Sequence, residues 1–276
     1  MYFIYSEWDN YCLQLAKKGI FGISAREVYD VGKDHEYIVL KHDVESNPSK
    51  ALKMAKIEAK YGHKGSYYIQ AYLLQKKNLS ILKKISKLGH EVSYHHDVMD
   101  FCKGNIDEAM EVFLKNKLIF EQFGFDVKTV CQHGNPIVNR QGYNSNRDFF
   151  RSKEVQEKYP EIADIMVDFK NKANTEYEYI SDAGMGFKII FDPINNDIIP
   201  SDDKNIPLKD CSEVLKFIEG KRVIVSTHPH RWTNNICSSI LKRFVFKTIR
   251  AIAKLCYKIP FAKKIMEKHY YLAKKL

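Results

Sequence analysis

Apolar residues along the chain follow two spacings, one typical of buried strands and one typical of amphipathic helices. Short apolar runs at residues 37–40, 127–130 and 223–225 predict buried strands. Between these runs, apolar residues recur every three or four positions, as they do on one face of a helix. Because strand and helix signals alternate along the chain, the pattern predicts an α/β fold built on a parallel sheet.

The predicted helices have recognisable ends. Asn47 and Pro48 form an N-cap and first-turn pair for a helix that continues to Gly62. Other helices are predicted at residues 79–88, at 106–124 with Ile106, Met110, Phe113 and Leu114 facing inward, and at 212–218. A glycine stands at or just after the end of each, as is common for helices.

Two acidic side chains follow the apolar run at 37–40. Asp43 and Glu45 are two positions apart, so in a strand they point the same way, while His42 points to the other face. Two carboxylates on one face repel each other unless a metal ion joins them or one keeps its proton, and both arrangements serve catalysis. The alternative is a solvated acidic turn that leads into the helix beginning near Pro48.

Histidines stand at the ends of three more predicted strands. His95 and Asp97 follow one strand, His133 follows the next, and His228 and His230 follow the last. In α/β proteins, ligands and catalytic groups gather at the carboxyl ends of strands. One such histidine would suit a structural role, whereas four strand ends that carry His, Asp or Glu indicate a common site.

These motifs, in this order, resemble those of the polysaccharide deacetylase family, the NodB-homology group of metal-dependent carbohydrate esterases. The resemblance covers residues 2–232, and an ordered series is more specific than any single motif. Its pieces are His42-Asp43-Val44-Glu45, the helix at 50–58, the strand at 65–69, Gly89-His90-Glu91-Val92 through His95, His133-Gly134-Asn135-Pro136, residues 179–184, and Thr227-His228-Pro229 through Trp232. The resemblance implies a distorted (β/α) barrel of about seven parallel strands wrapped by helices, over residues 1–240.

Carried over residue by residue, the resemblance implies a deacetylase that removes an N-acyl group, most commonly N-acetyl, from a sugar. Asp43 would be the base that takes a proton from the attacking water. Glu45 and His95 would hold a divalent metal ion, with zinc favoured. His228 would be the acid that protonates the departing amine, a role that suits an imidazole.

The chain departs from the common family pattern at the metal ligands. That pattern has a second histidine four positions after the first, where this chain has Met99. A thioether is a poor ligand for such divalent ions, so a third ligand must come from elsewhere. Asp97 and His133 are both candidates, and His133 is favoured. Glu45 also stands where Asp is commoner, which lengthens the carboxylate side chain by one methylene.

Five residues are predicted to contact the substrate: Asp97, Asn135, Asp182, His230 and Trp232. Asp182 follows a predicted strand at 177–180, where it could instead orient a catalytic group or cap a turn. Trp232 has a flat apolar face that can stack on a sugar ring, although core packing is the ordinary role of an aromatic residue. The histidines expected to be structural or on the surface are His42, on the packing side of its strand, and His63, His90 and His269.

The length of 276 residues and the hydrophobic content of 45% suit one barrel domain. Residues 139–174 are polar with weak periodicity, which predicts an insertion over the site or, alternatively, a solvated connection. Residues 241–276 are predicted to form a separate helical tail.

Basic residues are concentrated in that tail. Residues 241–276 contain eleven Lys or Arg and one acid, Glu267, so this segment carries the whole net charge of +10. Apolar residues from 241 to 259 recur at helical spacing, Pro260 is expected to end the helix, and a second basic piece follows. A basic amphipathic helix predicts attachment to an anionic membrane surface or, alternatively, packing on the barrel with a solvated cationic face. No nucleic-acid partner is expected, because no recognition motif accompanies the charge.

The first residues lack the basic start and apolar segment of a secretory signal, and the six cysteines lack zinc or disulfide spacing. These features predict a cytoplasmic protein, peripheral at the inner face of the cell membrane, that acts on a surface-polysaccharide or lipid-linked glycan precursor. Two other functions stay open. One is hydrolysis of another non-peptide carbon–nitrogen bond, and the other is a non-catalytic role in glycan binding or scaffolding.

Overall fold

The structure is a computed structural model that describes residues 2–31, 35–135, 138–199 and 202–256. Its strands are β1 (Gly22–Ile23), β2 (Tyr37–Val44), β3 (Ser66–Ile69), β4 (Glu91–His96), β5 (Thr129–Gln132), β6 (Ala163–Asp164), β7 (Glu178–Ser181), β8 (Lys188–Ile189), β9 (Ile206–Pro207) and β10 (Arg222–Thr227). Its helices are α1 (Tyr5–Lys17), α2 (Pro48–Lys60), α3 (Lys76–Lys87), α4 (Val98–Phe101), α5 (Ile106–Gln122), α6 (Asp148–Arg151), α7 (Lys153–Lys158), α8 (Phe169–Lys172), α9 (Cys211–Ile218) and α10 (Ile236–Cys256).

The strands form one large, mostly parallel sheet in the order β6-β5-β4-β3-β2-β10-β7-β8-β9, with β1 paired to β2. The seven strands from β6 to β7 are parallel, and β8 and β9 are antiparallel additions. The predicted mixed α/β fold with a parallel sheet is therefore confirmed. Within the residues described, no backbone pairing joins β6 to β7, although Tyr177 Oη donates to the Ile165 carbonyl across this gap at 2.7 Å. A closed barrel stays a prediction.

Strand β2 shows how the two faces of the sheet differ. Tyr37 and Val39 point inward and pack with Ile224 of β10 and Tyr68 of β3. Ile38 and Leu40 alternate with them and point outward, against helices α1 and α9. The outer face further along the sheet is covered by α2, α3 and α5. Because side chains alternate along a strand, the next inward positions of β2 are those of Lys41 and Asp43.

The predicted helices are present, with shifts at their ends. Pro48 opens α2 as expected, but Asn47 adopts a left-handed conformation (φ 44°) and makes no capping hydrogen bond from its side chain. Asn105 caps α5, because its side chain accepts from the backbone N–H groups of Asp107 and Glu108. Leu114 was expected to face inward and is exposed instead.

The prediction for residues 139–174 as an insertion or solvated connection was wrong. This segment contains α6, α7, β6 and α8, and β6 pairs with β5 as the edge strand of the sheet. Phe149, Phe150 and Val155 from this segment are fully buried in the main outer core. The apolar residues are few and the strand is two residues long, so the segment lacks the periodicity that identifies longer elements.

The predicted tail helix begins at Ile236, inside the region assigned to the barrel, and its first turns contact the rest of the domain. Ser239 Oγ donates to the Tyr2 carbonyl, and Arg243 Nη2 donates to the Met185 carbonyl at 2.9 Å. The expected helix break at Pro260 and the second basic piece lie outside the described residues. In the described part of the chain, no helix is long and apolar enough to span a bilayer. The described cysteines, at 12, 102, 131, 211 and 237, are unpaired thiols.

Candidate active site

The candidate site lies where the parallel strands end. Strand β2 brings Lys41 and Asp43 to its inner face, and Glu45 follows directly after the strand. Strand β4 supplies His95, which pairs in register with Cys131 of β5. His133 lies two residues beyond Cys131 and so emerges on the same side as Cys131.

Glu45, His95 and His133 meet in one cluster. One ligand atom from each lies within 4.8 Å of the others. The Oε1 atom of Glu45 is 3.3 Å from His133 Nε2 and 3.9 Å from His95 Nε2. Burial alone would raise the pKa of Glu45, but the nearby His133 and His95 lower it well below its ordinary value. Glu45 is therefore a carboxylate and not a carboxylic acid.

The side chains of this cluster fit a divalent metal ion. His95 Nδ1 donates to the Cys131 carbonyl at 2.9 Å, which leaves the lone pair of Nε2 pointing at the cluster. That Nε2 atom is buried and has no hydrogen-bond partner among the residues that the structure describes. Ligands about 2.1 Å from a tetrahedral zinc ion are about 3.4 Å apart, close to the separations between Glu45 and the two histidines. Two imidazoles and a carboxylate are also a set that zinc accepts in catalytic sites.

A second group of possible ligands overlaps the first and is less suitable. It consists of Asp43, His95 and Cys131. Burial raises the pKa of the Cys131 thiol well above its ordinary value, whereas a metal ligand must be a thiolate. Asp43 is already held by Lys41. The Glu45, His95 and His133 cluster is therefore the better metal site.

Lys41 is a site residue that the sequence reasoning missed. Its Nζ atom is 2.6 Å from both carboxylate oxygens of Asp43 and 3.2 Å from Ser226 Oγ, and its side chain is only 1% exposed. Burial would raise the pKa of Asp43, but Lys41, His95 and His228 lower it. Asp43 is therefore ionised and held in place. The available signal was a lysine on the inward face of an otherwise apolar strand.

His228 lies opposite the metal cluster and is held by Asp182. Its Nε2 atom is 3.8 Å from Asp43 Oδ2 and 3.9 Å from Glu45 Oε1. Its Nδ1 atom donates to Asp182 Oδ1 at 2.5 Å, and its backbone N–H donates to Asp182 Oδ2 at 2.9 Å. Arg231 Nη1 also donates to Asp182 Oδ1, at 2.7 Å. The imidazole of His228 therefore has a fixed orientation, with its Nε2 facing Asp43 and Glu45.

The structure corrects two of the predicted substrate contacts. Asp182 is fully buried and bonded to His228 and Arg231, so it holds the His228 imidazole and is not accessible to a sugar. Trp232 is 0% exposed and packs edge-on against Phe3 and Trp8, so neither face of its ring is available for stacking. Trp232 is therefore a residue of the hydrophobic core.

The other predicted substrate contacts are His230, Asn135 and Asp97. His230 stacks edge-on with His228 at 5.8 Å, and burial lowers its pKa to about 3, so it is neutral. The Asn135 carbonyl accepts from Arg140 Nη2 at 2.7 Å, while Pro136 after it lies outside the described residues. Asp97 is half-buried at the start of α4 and belongs to neither group of possible metal ligands in the described chain. The substrate roles of these three residues stay predictions.

An aromatic residue at the rim was not predicted. Tyr72 is 52% exposed, and its hydroxyl donates to the carbonyl of Glu45. Burial of part of its ring, with the charges of Glu45 and Asp97, raises the pKa of Tyr72 to about 12. Its partly exposed ring therefore lies beside the metal cluster, where Trp232 had been expected.

The histidines that were predicted to be structural include three that the structure describes in full. His63 and His90 accept backbone N–H groups and donate to carbonyls through their ring nitrogens. His42 faces the packing side as expected, but its partners are side chains. Its Nδ1 atom is 2.7 Å from Thr227 Oγ1, and its Nε2 atom is 2.8 Å from Glu58 Oε1. His269 lies outside the described residues.

Comparisons with known proteins give a distant structural likeness. No protein-family profile matches the chain, and no curated protein sequence matches it. Among solved structures, it is similar to two of the peptidoglycan deacetylase PdaC from Bacillus subtilis, one of them a mutant. The identities are 11% and 12%, the TM-score is 0.37 for each, and each alignment covers 83% of this chain and 100% of the PdaC chain. At these identities and this TM-score the likeness does not assign a function, so the proposed function rests on the residues of the site.

Proposed function

We propose that this protein is a metal-dependent deacetylase that removes an N-acyl group, most commonly N-acetyl, from a sugar of a glycan. The observation that supports this most directly is the arrangement of the site. Glu45, His95 and His133 form a cluster that fits zinc, and the oriented imidazole of His228 faces it from the other side. A metal site with an acid and a base across from each other is suited to hydrolysis of an amide.

Each residue has a role that follows from its contacts. A divalent ion held by Glu45, His95 and His133 would polarise the acyl carbonyl and lower the pKa of water to about 7. Asp43, kept ionised by Lys41, accepts the proton of the water whose oxygen forms the new bond to the acyl carbon. His228 donates a proton from Nε2 to the nitrogen as the carbon–nitrogen bond breaks. Asp182 keeps the other ring nitrogen protonated and stabilises the imidazolium.

The rim of the site suits a sugar ring. Tyr72 presents a partly exposed ring beside Glu45 and Asp97. Aromatic rings at such positions bind the apolar face of a sugar while the sugar hydroxyls find polar partners. Asp97, Asn135 and His230 supply polar groups near the same entrance.

The test combines metal analysis with a deacetylation assay. We expect about one zinc ion per purified chain, and loss of the ion in Glu45→Gln and His133→Ala. The same variants should lose release of acetate from oligomers of N-acetylglucosamine. His35→Ala is the matched control, because His35 is exposed and lies outside the cluster.

Two results would contradict the proposal. If the wild type binds no metal after incubation with zinc, cobalt or nickel but binds the glycan, the non-catalytic alternative replaces it. If metal binds and small non-sugar amides are cleaved while acetylated glycans are not, the substrate class is wrong and the hydrolase chemistry stands.

A further inference from the structure

Helix α10 has a row of large apolar side chains that nothing in the described protein covers. Ile236, Ile240 and Phe244 are four residues apart and share one face of the helix. Leu241 and Ile252 extend this face. The exposed fractions are 53% for Ile240, 63% for Leu241 and 67% for Phe244. Contiguous exposed apolar surface of this kind marks an interaction site more often than scattered single residues do.

The opposite side of α10 is fixed to the domain, so this exposure results from a defined orientation. Ser239 and Arg243 are bonded to the Tyr2 and Met185 carbonyls, and Phe246 packs against the core that contains Trp232. Lys242 Nζ donates to the His230 carbonyl at 2.9 Å. The helix is therefore docked through one side while its apolar face points away from the protein.

The segment of sequence to which most of this helix belongs is strongly basic. Residues 241–276 contain eleven basic side chains and one acidic side chain. Lys247 is exposed on α10.

We propose that the exposed face of α10 docks on the surface of an anionic phospholipid bilayer. Aliphatic and phenyl side chains enter the boundary between headgroups and acyl chains, and the surrounding lysines and arginines attract the headgroups. A second copy of this chain would bring a second strongly basic segment against the first. Nucleic acid would satisfy the charge and leave the apolar face exposed. A bilayer of anionic lipid satisfies both.

The test measures binding to vesicles and does not use deacetylase activity, so it is independent of the proposed function. The full chain is sedimented with vesicles made of phosphatidylcholine alone and of phosphatidylcholine with phosphatidylglycerol in equal parts. We expect sedimentation with the anionic vesicles only, weakened by added salt. The double variant Leu241→Glu with Phe244→Glu should partition at least about tenfold more weakly.

Ile206→Glu is the matched control, because Ile206 is 58% exposed on β9 and should leave binding unchanged. Circular dichroism checks that every variant is folded. Wild type that stays in the supernatant with anionic vesicles, equal binding to both vesicle types, or unchanged binding of the double variant would each overturn the proposal. So would sedimentation velocity showing a dimer that the double variant dissociates, since the face would then bind a second copy.

Discussion

Replacing Lys41 by methionine tests the buried ion pair at the base of the site. The ammonium of Lys41 is 2.6 Å from both oxygens of Asp43, and both side chains are buried. Methionine fills a similar volume but leaves the Asp43 carboxylate without its partner. Removing one member of a buried pair costs about 3–5 kcal/mol of unfolding free energy, and we expect a loss in this range at pH 7.

The expected loss of unfolding free energy depends on pH, and its sign follows from the pKa of Asp43 in the wild type and in Lys41→Met. In the wild type the pKa of Asp43 is lowered, so this residue contributes stability above the unfolded pKa of about 3.9, and the contribution disappears as the pH falls. In Lys41→Met, burial dominates and raises that pKa, so the variant loses stability as the pH rises above about 4. The difference between the two proteins should therefore be small near pH 4 and large at pH 7.

Urea unfolding in the presence of a chelator measures these free energies without a contribution from bound metal. The double variant Lys41→Met with Asp43→Asn should recover most of the loss, because removing both charges of a buried pair is often close to neutral. Lys60→Met is the matched control, since its pair with Asp9 lies on the surface and its removal should leave the free energy of unfolding nearly unchanged. A loss of under about 1 kcal/mol for Lys41→Met, or the same loss at both pH values, would refute the reasoning.

Three further predictions concern the site, a buried acid and a close backbone contact. Asp182→Asn removes the charge that holds His228 and should lower kcat about 10²-fold or more with little change in KM. Steady-state deacetylation measures both constants, and an unchanged kcat would exclude a positioning role for Asp182. Burial raises the pKa of Asp168 to about 6, so the wild type should lose stability as the pH rises from about 4 to about 6. In urea unfolding, Asp168→Asn should lack this fall in unfolding free energy. The same pH dependence in both proteins would contradict the prediction. Gly65→Ala places a Cβ 2.8 Å from the Leu40 carbonyl oxygen and should lower the free energy of unfolding in urea by about 1–3 kcal/mol. Gly186→Ala, with open space around it, is the control and should change stability by under about 0.5 kcal/mol. Equal effects of the two substitutions would show that the contact relaxes.

The longer elements and the location of the site were predictable from the sequence. Strands β2 and β10 each contain a short continuous apolar run, and parallel strands place their carboxyl ends at one edge of the sheet. That is enough to expect Asp43, Glu45, His95 and His228 near each other. The elements that were missed, such as β6, are two residues long and carry no periodic signal.

The detailed contacts depended on tertiary structure. The sequence favoured His133 over Asp97, but the contact of His133 with Glu45 and His95 depends on the pairing of His95 with Cys131, which no spacing along the chain reveals. The sequence left Asp182 open between sugar binding, the orientation of a catalytic group and a turn cap, and Trp232 open between sugar stacking and core packing. Their burial depends on tertiary packing. Lys41 lies in an apolar strand, where a single lysine gives no indication of which partner it will meet.

Strand β2 carries different polar groups on its two faces, and this limits the ways in which it can be misplaced. On the inner face Lys41 meets Asp43, while on the outer face His42 meets Glu58, which also accepts from Trp8 and Tyr67. A slip of one residue would turn every side chain of the strand to the opposite face and leave both sets of charges without partners. The residues of the site therefore also favour the correct register of β2 during folding. Directed evolution of the activity at positions 41–45 would select for correct folding at the same time.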